Sequence, residues 1–402
     1  MGLKEALPGA FRVLMVAPTP FFADRGCHVR IYEEARALQA LGCEVEVCTY
    51  HLGADPPHVP THRTPRVPWY TKLSAGPSWH KIYLDGLLLV KTWAVARRTR
   101  PDVLHGHLHE GAAIAWAAGR ALGIPSIGDF QGSLTGELKA HHFGPRRGSG
   151  LRLLTRAERW IDHRPQAAVA SCTDVARELR EDFDRQDAIL ALDGVDTDRF
   201  RPDVEVSEEI RRLVPPGRRA VVYLGVLETY QGVDHLLAAV PRVLARVPQA
   251  HFLVMGYPNE ERYRAMAAGL GVAEHVTFPG RIDYDRAAEY LALGEVAVGP
   301  KLSETESNGK LYNYMACALP TVAFDTPSSR EILGDLGVFA PRGDGEALAG
   351  AIASLLEDPD GSRRLGARLR QRVIDCFSWE RTARELLAAY RLAGSRRVGG
   401  AR

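Results

Sequence analysis

Apolar and polar positions follow two rhythms along this chain, and the same succession of rhythms occurs twice. Phe11–Pro18 (FRVLMVAP) is a short continuous apolar run, which predicts a buried strand. The loop FFADRG follows, and Cys27–Leu41 then puts Ile31, Ala35, Leu38 and Leu41 on one helical face before stopping at Gly42. EVEVCTY is the next strand. Asp55–Ser78 is rich in proline and histidine without periodicity and reads as a long excursion. Leu84–Arg98 predicts a helix, and Asp102–Leu104, Ile124–Ile127, Ala167–Ala170 and Ala188–Leu192 predict strands with helices between them. The alternation restarts at Ala220. Val233, Leu236, Leu237, Val240, Val243, Leu244 and Val247 have helical spacing, and His251–Met255 is a strand ending in Gly256. VTFPGRI and Val296–Gly299 are further strands. Strands alternating with helices imply an α/β chain with two doubly wound parallel sheets, whose ligands belong at the carboxyl ends of the strands, in a cleft between the two domains.

Size and composition agree with that picture. A chain of 402 residues is too long for one core and suits two domains. It is 46% hydrophobic and 25% charged with a net charge of +2, which argues against a general nucleic-acid binder. No apolar run reaches the roughly 18 residues that span a bilayer. The opening MGLKEALPGAFRVLMVAPTP lacks the order of a signal peptide, and Met-Gly lacks the later Ser or Thr of a myristoylation signal. The six cysteines form no CxxC pair and read as reduced, mostly buried thiols of a cytoplasmic protein, with Cys172 and Cys317 as packing residues.

Lys301–Asp335 is the most informative stretch for chemistry. Its turn Ser307-Asn308-Gly309-Lys310 stands where a helix begins, a place with unpaired backbone N–H groups and a dipole that favours an anion. A lysine in the turn, with Glu304 and Glu306 just before it, suits a ligand carrying both phosphates and hydroxyls, such as a nucleotide sugar. An ordinary helix capped by Ser307 or Asn308 fits the same residues. In the first half, Asp24-Arg25-Gly26 precedes a helix start, and Gly26 permits close approach of a diphosphate. His105–Gly111 (HGHLHEG) alternates three histidines. That spacing raises a zinc site, but such ligands need a continuing strand and Glu110-Gly111 breaks it. Arg66–Tyr83 mixes Trp69, Tyr70 and Trp79 with basic residues, and Lys139–Arg164 holds an excess of Lys and Arg. Both suit either an anionic membrane surface or a solvated face with tucked aromatics.

Four features together resemble the retaining glycosyltransferases of family 4. They are the strand order of the second half, the hinge-like LDGVDTDRFRP (Leu192–Pro202), the segment YMACALPTVAF and the closing FSWERTARELLAAYR (Phe377–Arg391). The resemblance implies a GT-B fold of two facing Rossmann-like domains, residues 1–191 and 201–376, with a hinge at 192–200 and a final helix in 377–402 crossing back to the first domain. It implies transfer of a sugar from a nucleotide-diphosphate donor to a glycan or lipid-linked acceptor, with retention, no metal and no resident cofactor. Donor contacts are expected from Gly26, Gly225, Gly256, Lys301, Ser307, Asn308, Gly309 and Asn313, and catalysis from Glu306, Lys310 and Arg25. His107, His109, Glu110, Gln131 and Ser133 are expected on the acceptor side. Peripheral contact with an anionic membrane is one of the two readings of the aromatic-basic stretches, and nucleic acid is not expected.

The chain departs from the family pattern at several of these places. Gly225-Val226 and Gln231-Gly232 stand where the family has Gly-Arg and Lys-Gly, Asn313 replaces a glutamate, and Gln131 replaces a histidine. Arg25, Lys301 and Lys310 are the candidate substitutes for the lost charge, and Asn313 can still bind ribose hydroxyls. A nucleotide-sugar-binding relative that lost catalysis, and a phosphorylase or epimerase of the same fold, are the alternatives.

Overall fold

The computed structural model describes residues 11–23, 26–73, 78–135, 148–303 and 307–399. The chain divides into two compact units. The first comprises residues 1–193, 305–307 and 379–402, and the second comprises 194–304 and 308–378.

The first unit holds a seven-stranded sheet in the order β3-β2-β1-β4-β5-β6-β7, with every pairing parallel. Its strands are β1 (Arg12–Ala17), β2 (Glu44–Thr49), β3 (Thr61–Arg63), β4 (Val103–His107), β5 (Ser126–Phe130), β6 (Ala167–Ala170) and β7 (Ile189–Leu190). β1 and β6 are apolar or small almost throughout, as strands covered on both faces tend to be, and β4 and β5 are equally buried although they carry His105, His107 and Asp129. Helices Gly26–Ala40, Lys81–Thr99, Leu108–Leu122 and Gly148–Asp162 supply the crossovers. β3 lies inside the stretch expected to have no secondary structure. Three residues between prolines are too few to show alternation, and only pairing with β2 makes them a strand. The final helix, Trp379–Gly399, is part of this unit. Its Thr382 hydroxyl donates to the Leu192 carbonyl at 2.6 Å, and its Tyr390 hydroxyl meets His105 Nδ1 at 3.0 Å.

The second unit holds a six-stranded parallel sheet in the order β10-β9-β8-β11-β12-β13. Its strands are β8 (Arg219–Leu224), β9 (Ala250–Met255), β10 (Val276–Gly280), β11 (Val296–Gly299), β12 (Thr321–Phe324) and β13 (Val338–Ala340). The Val233–Arg246 helix buries Val233, Leu236, Leu237, Val240 and Val243, the stripe predicted from spacing. They pack with Phe252, Val254, Leu348 and Ile352 in one core.

In both sheets the strand order reverses beside the first strand, between β1 and β4 and between β8 and β11. Such a reversal leaves a crevice outside the carboxyl ends of the strands, where ligands of open α/β sheets bind.

Candidate functional site

In the second unit, the loops after β8, β9 and β11 converge on the start of the Lys310–Ala316 helix. Gly225 donates its N–H to Met255 O at 3.0 Å, and a Cβ on Gly256 would stand 1.7 Å from Gly225 O. Only glycine at 256 allows the two loops this contact. The Leu302 N–H donates to Tyr230 O at 3.0 Å, which joins the Lys301 loop to the turn that carries Gln231. The Asn308 N–H donates to Ser328 Oγ at 3.1 Å and its side-chain amide reaches Gly299 O at 3.4 Å. Asn308 therefore cross-links strand ends. The expected cap by Ser307 or Asn308 is absent: Gly309 precedes the helix and no side chain caps it. The helix is seven residues long, so its dipole is short and the positive charge here belongs to side chains.

Lys310 is that charge. Its stem crosses Gly225, where a Cβ would lie 2.7 Å from Lys310 Cε. Its ammonium lies 5.1 Å from the centre of the Tyr223 ring and donates to Gln231 Oε1. Tyr223 and Tyr314 are fully buried beneath it. Tyr223 donates to Val226 O at 2.8 Å, and Tyr314 Oη accepts the Leu224 N–H at 2.8 Å. Asn313 is half-buried one turn further along the helix, on the side of Lys310. Lys301 is buried. The structure thus brings Gly225, Gly256, Lys301, Asn308, Gly309, Lys310 and Asn313 together around the ends of β8, β9 and β11. Ser307 adjoins them in the chain. Glu306 and Arg25 lie outside the described residues. Gly26 opens its helix with nothing within 4 Å of where a Cβ would be.

The first unit carries a different kind of site. His105 and His107, two apart on β4, share one face, and His107 is in register with Asp129 of β5. His107 Nδ1 lies 3.0 Å from Asp129 Oδ2, and Gln131 Nε2 donates to the same oxygen at 3.0 Å. Arg30, reaching across from the Gly26–Ala40 helix, binds Asp129 through Nε (3.0 Å) and Nη2 (2.9 Å), Asp193 at 2.7 Å, Ala191 O at 3.1 Å and Glu34 at 2.8 Å. All but Asp193 and Gln131 are buried. Burial opposes ionisation of Asp129, but Arg30 and the His107 hydrogen bond outweigh it and hold the carboxyl well below its usual range. Burial pushes Glu34 well above the usual carboxyl range despite Arg30, which favours its neutral form. Burial lowers both histidines, which are neutral. His107, expected on the acceptor side, is therefore fully buried, with its Nδ1 engaged by Asp129.

Glu34, His105, His107 and Asp129 each offer a donor atom within 4.8 Å of the others. This is not the alternating zinc set raised by the sequence, because the strand ends at His107 and His109 belongs to the next helix. The cation of the cluster is already present as Arg30. Both Asp129 oxygens are engaged, and a divalent ion would have to displace a guanidinium held by Asp129, Asp193 and Glu34. We read the cluster as an arginine-centred network.

His109, Gln131 and Ser133 lie around the end of β5. Glu158, on the Gly148–Asp162 helix, is fully buried and accepts from Ser133 Oγ (3.0 Å), Leu134 N (2.6 Å) and Thr135 N (3.1 Å). His109 Nε2 is 3.6 Å from Glu158 and 3.4 Å from Asp162, and its ring packs on Phe130. Glu110 pairs with Lys81 at 2.5 Å. Burial alone would raise its pKa, but Lys81 brings it below the usual value. Glu158 and Asp162 were not singled out from sequence, because they sit in a helix that reads as basic. Their spacing of four residues was the available signal.

Burial, with Glu158 and Glu178 nearby, pushes Asp162 up to about 8. A carboxyl that titrates higher in the folded chain than in the unfolded one holds extra protons in the native state, so its contribution weakens stability as pH rises from about 4 towards 8. We predict that Asp162→Asn gains over the parent as pH rises. Between pH 5 and 8.5 the difference in Tm should widen by about 3 °C or more. A difference that stays flat across pH would show that Asp162 is already ionised.

Comparison with known proteins accords with this architecture. The solved sucrose-phosphate synthase of Thermosynechococcus elongatus superposes with a TM-score of 0.79 at 20% identity, covering 96% of this chain and 100% of that one. Anabaena HepE, solved in complex with UDP, superposes with a TM-score of 0.72 at 14% identity, over 94% and 98% of the two chains. These likenesses define the class: the protein has the GT-B fold. The profile described as Glycosyltransferase Family 4 matches residues 25–199, and that described as Glycosyl transferases group 1 matches residues 218–358. The chain belongs to the family 4 glycosyltransferases and is a glycosyltransferase. Among curated proteins it is 28% identical to the D-inositol 3-phosphate glycosyltransferase of Geodermatophilus obscurus, over 97% of this chain and 91% of that one. It is 27% identical to the phosphatidyl-myo-inositol mannosyltransferase of Mycolicibacterium smegmatis, over 94% and 93%.

Proposed function

We propose that this enzyme moves a sugar from a nucleoside-diphosphate sugar to the hydroxyl of a phosphoinositol-type or other lipid-linked acceptor, with retention and without a metal. In that reaction the bond between the anomeric carbon and the diphosphate oxygen breaks. The acceptor oxygen bonds to the same face of that carbon, and the acceptor proton ends on the departing diphosphate. The protein's main task is to stabilise the charge that grows on the leaving oxygens, for which fixed donors are the largest available term. The observation that carries the reading is Lys310, an ammonium held over Tyr223 and Gly225 beside the Lys301 loop, at the carboxyl end of β8. Asn313 suits the ribose hydroxyls. The phosphoinositol class is favoured by the names of the two relatives.

The test is a thermal-shift panel of UDP-, GDP-, ADP- and TDP-sugars, followed by turnover with inositol phosphate and phosphatidylinositol. A donor at 100 times its Kd should add about 2.7 kcal/mol of stability. If none of the four raises the Tm, the donor class is wrong. Product anomeric configuration by NMR tests retention, and turnover in EDTA tests metal independence.

A lipid-linked acceptor is also favoured by the surface of the first unit. Trp69 and Trp79 are 73% and 72% exposed, so these two aromatics are not tucked in. Ile82, Val90 and Trp93 form an exposed stripe along the Lys81–Thr99 helix, with Arg97 over the Trp93 ring. Apolar groups beside basic ones suit an anionic bilayer. No described helix is long and apolar enough to cross a membrane. Trp69→Ala with Trp79→Ala should weaken sedimentation with phosphatidylserine vesicles by roughly tenfold while donor affinity stays unchanged. Equal sedimentation of parent and variant would reject the membrane contact.

A further inference from the structure

Gln131 is the first residue beyond β5, at the carboxyl end of the strand, where ligands of this kind of sheet bind. Its side-chain amide has two unlike ends: the nitrogen only donates and the oxygen only accepts. Asp129 fixes which end points where. Its Oδ2 accepts from Arg30 Nε and from His107 Nδ1, each at 3.0 Å, and lies 3.0 Å from the Gln131 amide. With Arg30 bound to both of its oxygens, the carboxyl is ionised and can only accept, so the end of Gln131 that faces it is Nε2. The oxygen Oε1, on the same carbon, is turned the other way. It is neither hydrogen-bonded among the described residues nor sealed from solvent, and Gln131 is half-buried. Ser133, two residues on, follows the same rule. Its hydroxyl has one proton, which it donates to the buried Glu158 at 3.0 Å, so Thr135 is the donor in the 3.1 Å contact between the two hydroxyls. Buried carboxylates thus draw the donors of this loop inward, and the acceptor left to a ligand is Gln131 Oε1.

We propose that Gln131 is a specificity residue that reads a substrate hydroxyl as a donor: its Oε1 accepts a hydrogen bond from a hydroxyl of a sugar or polyol bound at the end of β5. The proposal rests on the reading that this chain moves a sugar from a nucleotide donor to a hydroxyl-bearing acceptor. The hydroxyl read here is not the one that reacts, because the proton of the reacting hydroxyl leaves with the diphosphate. Ionised phosphate and carboxylate oxygens carry no proton, and their lone pairs would face those of Oε1. An anionic group of either substrate is therefore turned away from this place. A neutral histidine presents either a donor or an acceptor, depending on its tautomer. The amide locked on Asp129 presents an acceptor alone, which makes it the stricter reader. A substrate lacking that hydroxyl leaves Oε1 without its partner, and affinity falls. The acceptor molecule and the donor sugar both carry such hydroxyls, and the experiment tells them apart.

The probes are the nucleotide sugar that binds in the thermal-shift panel, with inositol phosphate and methyl α-mannoside as acceptor-side ligands. Each is compared with its monodeoxy and monofluoro analogues by Kd, in the parent and in Gln131→Met. The acceptor-side ligands are titrated with UDP or GDP present. Deoxygenation and fluorination both remove the hydroxyl proton, but fluorine remains a weak acceptor. At one position the parent should bind both analogues about tenfold more weakly than the natural compound. Gln131→Met, of similar length, should bind the natural compound about tenfold more weakly, and both analogues no worse than the parent does. Its Tm, and its Kd for UDP and GDP alone, should match the parent, which a merely structural glutamine would not allow. The position that responds says whether the acceptor or the donor sugar is read. If the fluoro analogue binds like the natural compound and only the deoxy analogue is weak, the protein is the donor and the polarity is wrong. If no position on either substrate changes its response in Gln131→Met, the proposal is overturned. The underlying reading fails separately, when no nucleotide sugar raises the Tm of the parent.

Discussion

Lys310→Ala should lower donor turnover by roughly 10²–10³, the range seen when one preorganised transition-state donor is removed. The expectation follows from how the residue is held. Its ammonium rests against a buried aromatic face and an amide, both of which leave its charge intact. The seven-residue helix it opens offers only a small dipole. Because the charge it meets grows as the diphosphate leaves, kcat should fall more than nucleotide affinity. The fold should survive, since the side chain is only half-buried and forms no part of the core of the unit. Steady-state kinetics together with a Tm measurement check both halves. Turnover at the parent rate would remove Lys310 from the diphosphate grip.

Arg30→Ala should be among the most damaging substitutions for stability, at about 3–5 kcal/mol, the cost of leaving buried ionic partners without their counter-charge. Asp129 and Asp193 would lose their shared cation, and the carbonyl of Ala191 would lose a donor. Asp129 would then be ionised in an apolar site, held only by His107 and Gln131. Arg30→Lys should recover little, because a single ammonium cannot reproduce the bidentate contact with Asp129 together with the contacts to Asp193 and Ala191. Glu34→Gln should be mild, since burial favours the neutral acid and an amide of the same shape replaces it. Urea unfolding of the three variants gives the comparison. Equal stability of Arg30→Ala and the parent would show that the network contributes nothing net.

How much of this was legible in the chain itself differs from element to element. The Val233–Arg246 helix and the strands on either side of it were readable because their signals are local: an apolar stripe with helical period, and short apolar runs bounded by glycine. The repeat of that alternation, with LDGVD between the two rounds, was enough to give two α/β units and the family. The turn before Lys310 was readable as a helix start for the same reason, since its residue types and the first helical turn are adjacent in sequence.

The long-range pairings were not readable. β3 is three residues between prolines, and it is a strand only because β2 offers an edge. Trp69 and Trp79 fit burial and exposure equally well on paper, and the fold leaves both exposed while it buries Tyr70. His107 looked like a residue presented to an acceptor. It became an interior one because Asp129, 22 positions later, lies in register beside it and Arg30 closes over both. Lys310 was marked by sequence as a charge without a stated partner, and the fold supplied Gln231. The amino-acid sequence by itself therefore determined which segments become strands and helices and which residue types gather at their ends, because backbone hydrogen bonding and side-chain periodicity act over a few residues. Only the tertiary structure decided which charges are neutralised, which histidines are buried and where one ammonium points, because desolvation and ion pairing depend on groups that are far apart in the chain until it folds.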